Sequence, residues 1–164
     1  MRIRVLLAAV LLVVSVACED TPPVTPTVPD TDGTGTINAT INSVPWTSTP
    51  ASIVATAVVN PVDSRFTNVT FAGTDATLIG LTCTVRTLGT GTYEVLSGAV
   101  TCRVTQGPAT WEASDTAVSS DGSVTFTTLT TSRAVGNFAF LAVPAAASSA
   151  TGTKLTSGNF DLRF

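Results

Sequence analysis

The sequence predicts an all-β protein, an antiparallel β-sandwich or partly closed barrel of about ten short strands. Three observations carry that expectation. Hydrophobic residues make up 44% of the chain and charged residues only 12%, with Thr, Val, Ala and Gly abundant, a balance that suits strands better than Glu- and Lys-rich surface helices. From Gly35 onward, β-rich runs alternate with turn residues at roughly ten-residue intervals. Within the runs, apolar residues recur at every second position, as at Ile79, Leu81, Cys83 and Val85.

Taken in order, "TINATI" sets Ile37, Ala39 and Ile41 on one face, and a turn at Asn42-Ser43 leads to "VPWT" with Trp46. "SIVATAVV" ends at the turn "NPVDSR". "FTNVTF", "ATLIGLTCTV", the Gly89 to Gly91 turn, "TYEV", "AVTCRV" and "TWEAS" follow, then "SVTFTTLT", "NFAFLAV" and the closing "NFDLRF". No helix is required. "SIVATAVV" and "FAFLAV" break strict alternation, being apolar on both faces: either they are central strands covered on both sides, or their outer face, around Val54, Val58, Leu141 and Val143, meets a partner. "AAASSATG", residues 145 to 152, has no pattern that requires order and is expected to be a mobile hairpin loop.

Before this domain the chain has a different character. Residues 1–17 read as a signal peptide, with Arg2 and Arg4 as the charged start and Val5 to Val14 as an unbroken apolar run. Such a run covers about half of a ~30 Å hydrocarbon core at about 1.5 Å per residue, so it is too short for a permanent membrane span. "SVAC" resembles the lipobox of bacterial lipoproteins, with Ser15 where Leu is commoner, and this makes Cys18 the expected lipidation site. An ordinary secretory cleavage near Ala17 is the alternative. Residues 18–34 then form a Pro/Thr/Asp-rich spacer, and residues 35–164 a single domain. The expected location is the cell envelope, at the outer membrane, with the membrane itself a partner through the N-terminal lipid anchor.

Charge narrows the partners. Arg2 and Arg4 lie in the leader, and Glu19, Asp20, Asp30 and Asp32 precede Gly33, which leaves a nearly neutral domain without a basic run. Nucleic acid is therefore not an expected partner. Cys83 and Cys102 remain as an even pair in an exported chain, both at inward strand positions, and are expected to form a disulfide. No metal or cofactor is expected: two cysteines without a histidine do not make a zinc site, and "DTDG" at Asp30 lacks the later oxygen ligands of a calcium loop.

The domain resembles a family of bacterial lipoprotein domains catalogued as domain of unknown function 6252. The likeness covers most of residues 35–164 and rests on "ATINSVPWTS", "GTGTYEV", "DGSVTFTTL", "AVGNFAF" and "TSGNFDLRF". Ser43 in the first turn and the Cys83/Cys102 pair depart from that pattern. The resemblance implies an envelope location and a β-rich fold, and brings no activity with it.

Catalysis has little to work with. The chain has no histidine, which removes Ser-His and Cys-His nucleophiles. Paired carboxylates are conceivable among Asp63, Asp75, Glu94, Glu112, Asp115, Asp121 and Asp161, most of them in turn or outward strand positions. Trp46, Trp111 and Tyr93 could form a stacking platform for sugar rings or could simply pack in the core. The threonines from Thr125 to Thr131 read as a solvated strand face. The expected function is thus a non-enzymatic envelope lipoprotein that contacts an envelope protein or glycan. A periplasmic small-ligand or carbohydrate carrier is the alternative, followed by a carboxylate enzyme and by an outer-membrane barrel suggested by the terminal "FDLRF".

Overall fold

The computed structural model describes residues 35–146 and 148–164. The expected signal peptide, Cys18 and the expected spacer lie outside the described residues. The fold is all-β and antiparallel: β1 (Gly35–Ile41), β2 (Val44–Thr47), β3 (Val54–Val59), β4 (Thr67–Thr74), β5 (Ile79–Thr87), β6 (Gly91–Glu94), β7 (Val100–Gln106), β8 (Ala109–Ala113), β9 (Asp121–Leu129), β10 (Arg133–Pro144) and β11 (Lys154–Arg163). Every run read from the sequence is a strand, and two short 3-10 turns, Pro50–Ser52 and Val95–Ser97, are added.

The strands form one curled sheet in the order β2-β1-β11-β10-β8-β7-β5-β4-β3, with β9 also paired to β10 and β6 to β9. The curl hinges on β10. Its residues from Ala134 to Leu141 pair with β9, whereas Val143 and Pro144 pair with β8, so one long strand hands the sheet from one half to the other. The two halves close on an aromatic core: Phe71 of β4 meets Phe160 of β11 with ring centroids 4.6 Å apart, and Phe126, Phe138 and Phe140 extend the cluster. At about 25 cal/mol per Å² of apolar surface removed from water, these rings carry much of the folding free energy.

Cys83 and Cys102 are directly opposite each other in β5 and β7, fully buried, and joined in a disulfide. The alternation that pointed both inward is the one observed. The turn between β1 and β2 has Asn42 at φ 49° and Ser43 at φ 67°, the left-handed pair of a two-residue hairpin.

Two of the alternatives raised by the sequence do not hold. "SIVATAVV" is not a central strand: β3 ends the sheet and pairs only with β4, which leaves Val54 and Val58 at 43% and 56% exposure. After β10 the Ala145 N–H donates to Thr110 O at 3.0 Å and the Ser148 hydroxyl accepts the Thr110 N–H at 2.7 Å. Serine there supplies an acceptor that periodicity does not reveal. Finally, "FDLRF" turns Phe160 and Leu162 into the core and Asp161 and Arg163 outward, the reverse of a strand whose apolar side faces lipid.

Candidate functional site

The outer surface of the β3-β4-β5-β7-β8 half is ordered by register. Thr56, Thr70, Thr84 and Thr101 make one row across four strands, with the Thr70 and Thr84 hydroxyls 3.1 Å apart. The neighbouring row runs Val54, Ala72, Thr82, Arg103, Glu112, Val143. Two residues singled out in the sequence, Val54 and Val143, therefore stand at opposite ends of one line, roughly 24 Å apart along the sheet at about 4.8 Å per strand.

At the Val143 end the surface opens into a groove of about 630 Å³. Its floor is an ion pair. Arg103 donates from Nε and Nη2 to the same Glu112 oxygen, at 3.1 and 2.8 Å. The guanidinium holds the Glu112 carboxyl below the usual carboxylate range against the opposing effect of partial burial, with a smaller contribution from the Ser114 hydroxyl. One wall is Val143, Pro144 and Ala145, and the other is Ala117 and Val118. Val118 is held out into solvent by a compact loop: the Ser120 hydroxyl donates to Ser114 O at 2.7 Å and accepts the Ser114 N–H, while Ser119 takes a left-handed φ of 69°. A neutralised charge pair between small apolar walls can hold a polypeptide or another neutral chain by contact and hydrogen bonding.

The second half presents another surface. Register aligns Thr47, Asn38, Asn159, Asn137, Thr125 and Thr92 across six strands, an uncharged row over which lies a shallow groove of about 410 Å³. Thr47 donates to Asn38 Oδ1 at 3.1 Å, and the Thr92 and Thr125 hydroxyls are 2.9 Å apart. Leu141 is half-buried on the outward face of β10, opposite Asp121 and Leu155.

The tryptophans do not form a platform. Trp46 is 3% and Trp111 5% exposed, so neither offers a ring face to a sugar. Trp46 Nε1 donates to Ile79 O at 2.9 Å, and Trp111 Nε1 to Gly152 O at 3.2 Å under the Lys154 ammonium, 4.5 Å from the ring centroid. Tyr93 is a turn clamp: its hydroxyl donates to Gly89 O and accepts the Leu88 N–H. Carboxylates are mostly engaged locally. Asp63 binds Arg65, Asp161 binds Arg133, and Asp75 accepts the Thr77 and Ile79 N–H groups of its own turn. Glu94 sits opposite Ser123, one diagonal step from Asp121, on an exposed part of the β6-β9 pair.

The Arg103–Glu112 groove was not found by reading the sequence, although a signal existed. A two-residue turn at Gly107-Pro108 sets Gln106 opposite Ala109, and this register brings Arg103 opposite Glu112. Compared with family models, curated proteins and solved structures, the chain matches none of them.

Proposed function

We propose that this chain is a cell-envelope lipoprotein, held to the outer membrane through acyl groups on Cys18, whose β-domain acts by contact with another envelope component rather than by catalysis. The lipobox-like "SVAC" and the Pro/Thr-rich spacer support the anchor. The observation that carries the contact reading is the groove in which Val118 and Val143 flank the Arg103–Glu112 pair on a solvent-facing sheet. A second reading, a neutral glycan on the other half, is favoured by the uncharged row through Asn38, Asn159 and Asn137, whose amides supply paired donors and acceptors.

The test is a photo-crosslinking side chain placed at Val118 or at Asn137 in whole cells, with the mature N-terminus read by mass spectrometry. The contact reading expects a discrete protein adduct from position 118 and none from 137, together with an acylated Cys18. A glycan adduct from 137 alone would shift the assignment to the second reading, and an unmodified N-terminus would remove the anchor.

A further inference from the structure

Among the described residues three strands end the sheet, and two of them are blunted. β2 has four residues and carries Pro45. β6 has four residues, ends in Glu94 and runs into a 3-10 turn. Both are devices that keep an edge from pairing with another chain. β3 also has a 3-10 turn beside it, Pro50–Ser52, but the strand itself is not blunted. It is six residues long, "VATAVV", without a charge, a proline or a bulge, and the neutral stretch extends from Pro50 to Val62.

The direction of its backbone groups follows from the register. The Asn60 N–H donates to Phe66 O at 2.8 Å, and at the other end the Ser52 hydroxyl exchanges hydrogen bonds with the N–H and C=O of Thr74, both at 2.8 Å. Stepping by two between these anchors, Val54, Thr56 and Val58 turn their N–H and C=O toward β4. Ala55, Ala57 and Val59 therefore direct theirs away from the sheet. A two-fold axis at Ala57 makes this edge its own complement: Ala55 meets Val59 of a second copy, Ala57 meets Ala57, and Val59 meets Ala55, each pair exchanging two N–H···O bonds. Val58 then faces Thr56 of the second copy on the outer surface, and no charge opposes another.

We infer that the β3 edge joins two copies of this chain into an antiparallel, two-fold dimer with one continuous sheet. The inference does not depend on the lipid anchor or on the groove.

It is tested on the full chain carrying Cys18→Ser, which leaves no thiol outside the disulfide. Sedimentation equilibrium up to about 1 mM is expected to show reversible dimerisation. Val58→Lys places a lysine of each copy one diagonal step, about 7–8 Å, from the other, and Ala57→Pro removes an outward N–H without touching the bonds to β4. Each is expected to weaken the dimer about tenfold or more with an unchanged melting temperature. Because Val58 is already exposed, the lysine variant stands as the test even if the proline variant folds poorly. A spin label at Val58→Cys should report an inter-copy distance below about 20 Å. A chain that stays monomeric to about 1 mM, a dimer indifferent to the lysine, or a much longer label distance would each overturn the inference and leave the edge to a different polypeptide.

Discussion

Phe160 lies directly across β11 and β10 from Gly136, and both its ring and the Thr125 carbonyl crowd the space a side chain at Gly136 would need: a Cβ built there would stand 2.6 Å from Phe160 Cζ and closer still to Thr125 O. The arrangement is reciprocal, since Phe138 faces Gly158 in the next inward pair and would meet its Cβ at 2.7 Å, with the Asn38 carbonyl oxygen closer still. The rings of Phe138 and Phe160 are nearly parallel, with their planes 12° apart. Glycine weakens a strand by its entropy and its missing side chain, and here aromatic rings cover the gap and fill the core with the same atoms.

Gly136→Ala should consequently destabilise the fold by about 3 kcal/mol or more, the upper end for overpacking, because the Thr125 backbone it meets cannot yield as a side chain can. The same alanine in a Phe160→Ala background should cost somewhat less, because the ring is gone while the Thr125 carbonyl it also meets remains. Denaturant titration of the four proteins gives the coupling, and additive effects would show that the Thr125 backbone, and not the ring, sets the cost.

The first hairpin should be improvable. Ser43 holds a left-handed φ of 67° that costs a non-glycine residue about 1 kcal/mol, and it makes no hydrogen bond through its side chain among the described residues. Ser43→Gly should raise stability by about 0.5–1 kcal/mol, a shift of roughly 2–5 °C in melting temperature. A decrease would show that glycine's greater freedom in the unfolded chain outweighs the relieved strain.

Removing the Cys83–Cys102 bridge should cost more. It closes an interval of 19 residues, for which the chain-entropy account gives about 3 kcal/mol. Thiol labelling of the denatured, unreduced protein should find neither cysteine free, and the Cys83→Ala, Cys102→Ala double variant should unfold at lower denaturant. A full equivalent of label at either position contradicts the pairing.

Acid should weaken the fold through its arginine pairs. Arg103 lowers the Glu112 carboxyl and Arg133 lowers that of Asp161. A carboxylate whose folded pKa is depressed stabilises the fold above its unfolded value, near 4, and that contribution disappears as pH falls through the folded value. Stability should therefore decline as pH falls below about 5 and continue to fall until it has passed through the lowered folded values. Arg103→Met should flatten this decline by about 0.5–1 kcal/mol, a surface-pair magnitude suited to an exposed arginine. A pH profile identical to that of the parent protein would show that the pair contributes nothing.

How far the sequence could be read depended on whether a property belongs to one strand or to two. Alternation within a run pointed to most of the strands and to the inward cysteines, while Trp111, buried in β8, stayed open between core and surface. Pairing partners lie outside that pattern. "VATAVV" looks the same in the middle of a sheet or at its end, and only the order of strands shows that β3 is an edge while the equally apolar end of β10 is central. The outer rows are invisible for the same reason: Val54 and Val143 are joined by four intervening strands, not by spacing along the chain.

The two doubly apolar strands can be told apart by charge. Val54 is exposed at the free edge, so Val54→Asp should change stability by less than about 0.5 kcal/mol and report only on contacts made by that surface. Leu141 is different, because register sets it directly opposite Asp121 in β9. Leu141→Asp would place two carboxylates face to face and should destabilise the fold by about 1 kcal/mol through repulsion and lost packing. Leu141→Lys keeps an aliphatic stem over the strand and brings an opposite charge to Asp121, so it should be distinctly milder. Melting temperatures of the three variants, with Leu141→Asp repeated at high salt, measure the difference. Equal losses for aspartate and lysine would mean that burial of Leu141, and not its charged neighbour, sets the cost. Surface-contact experiments at this strand should then use only substitutions that preserve its apolar packing.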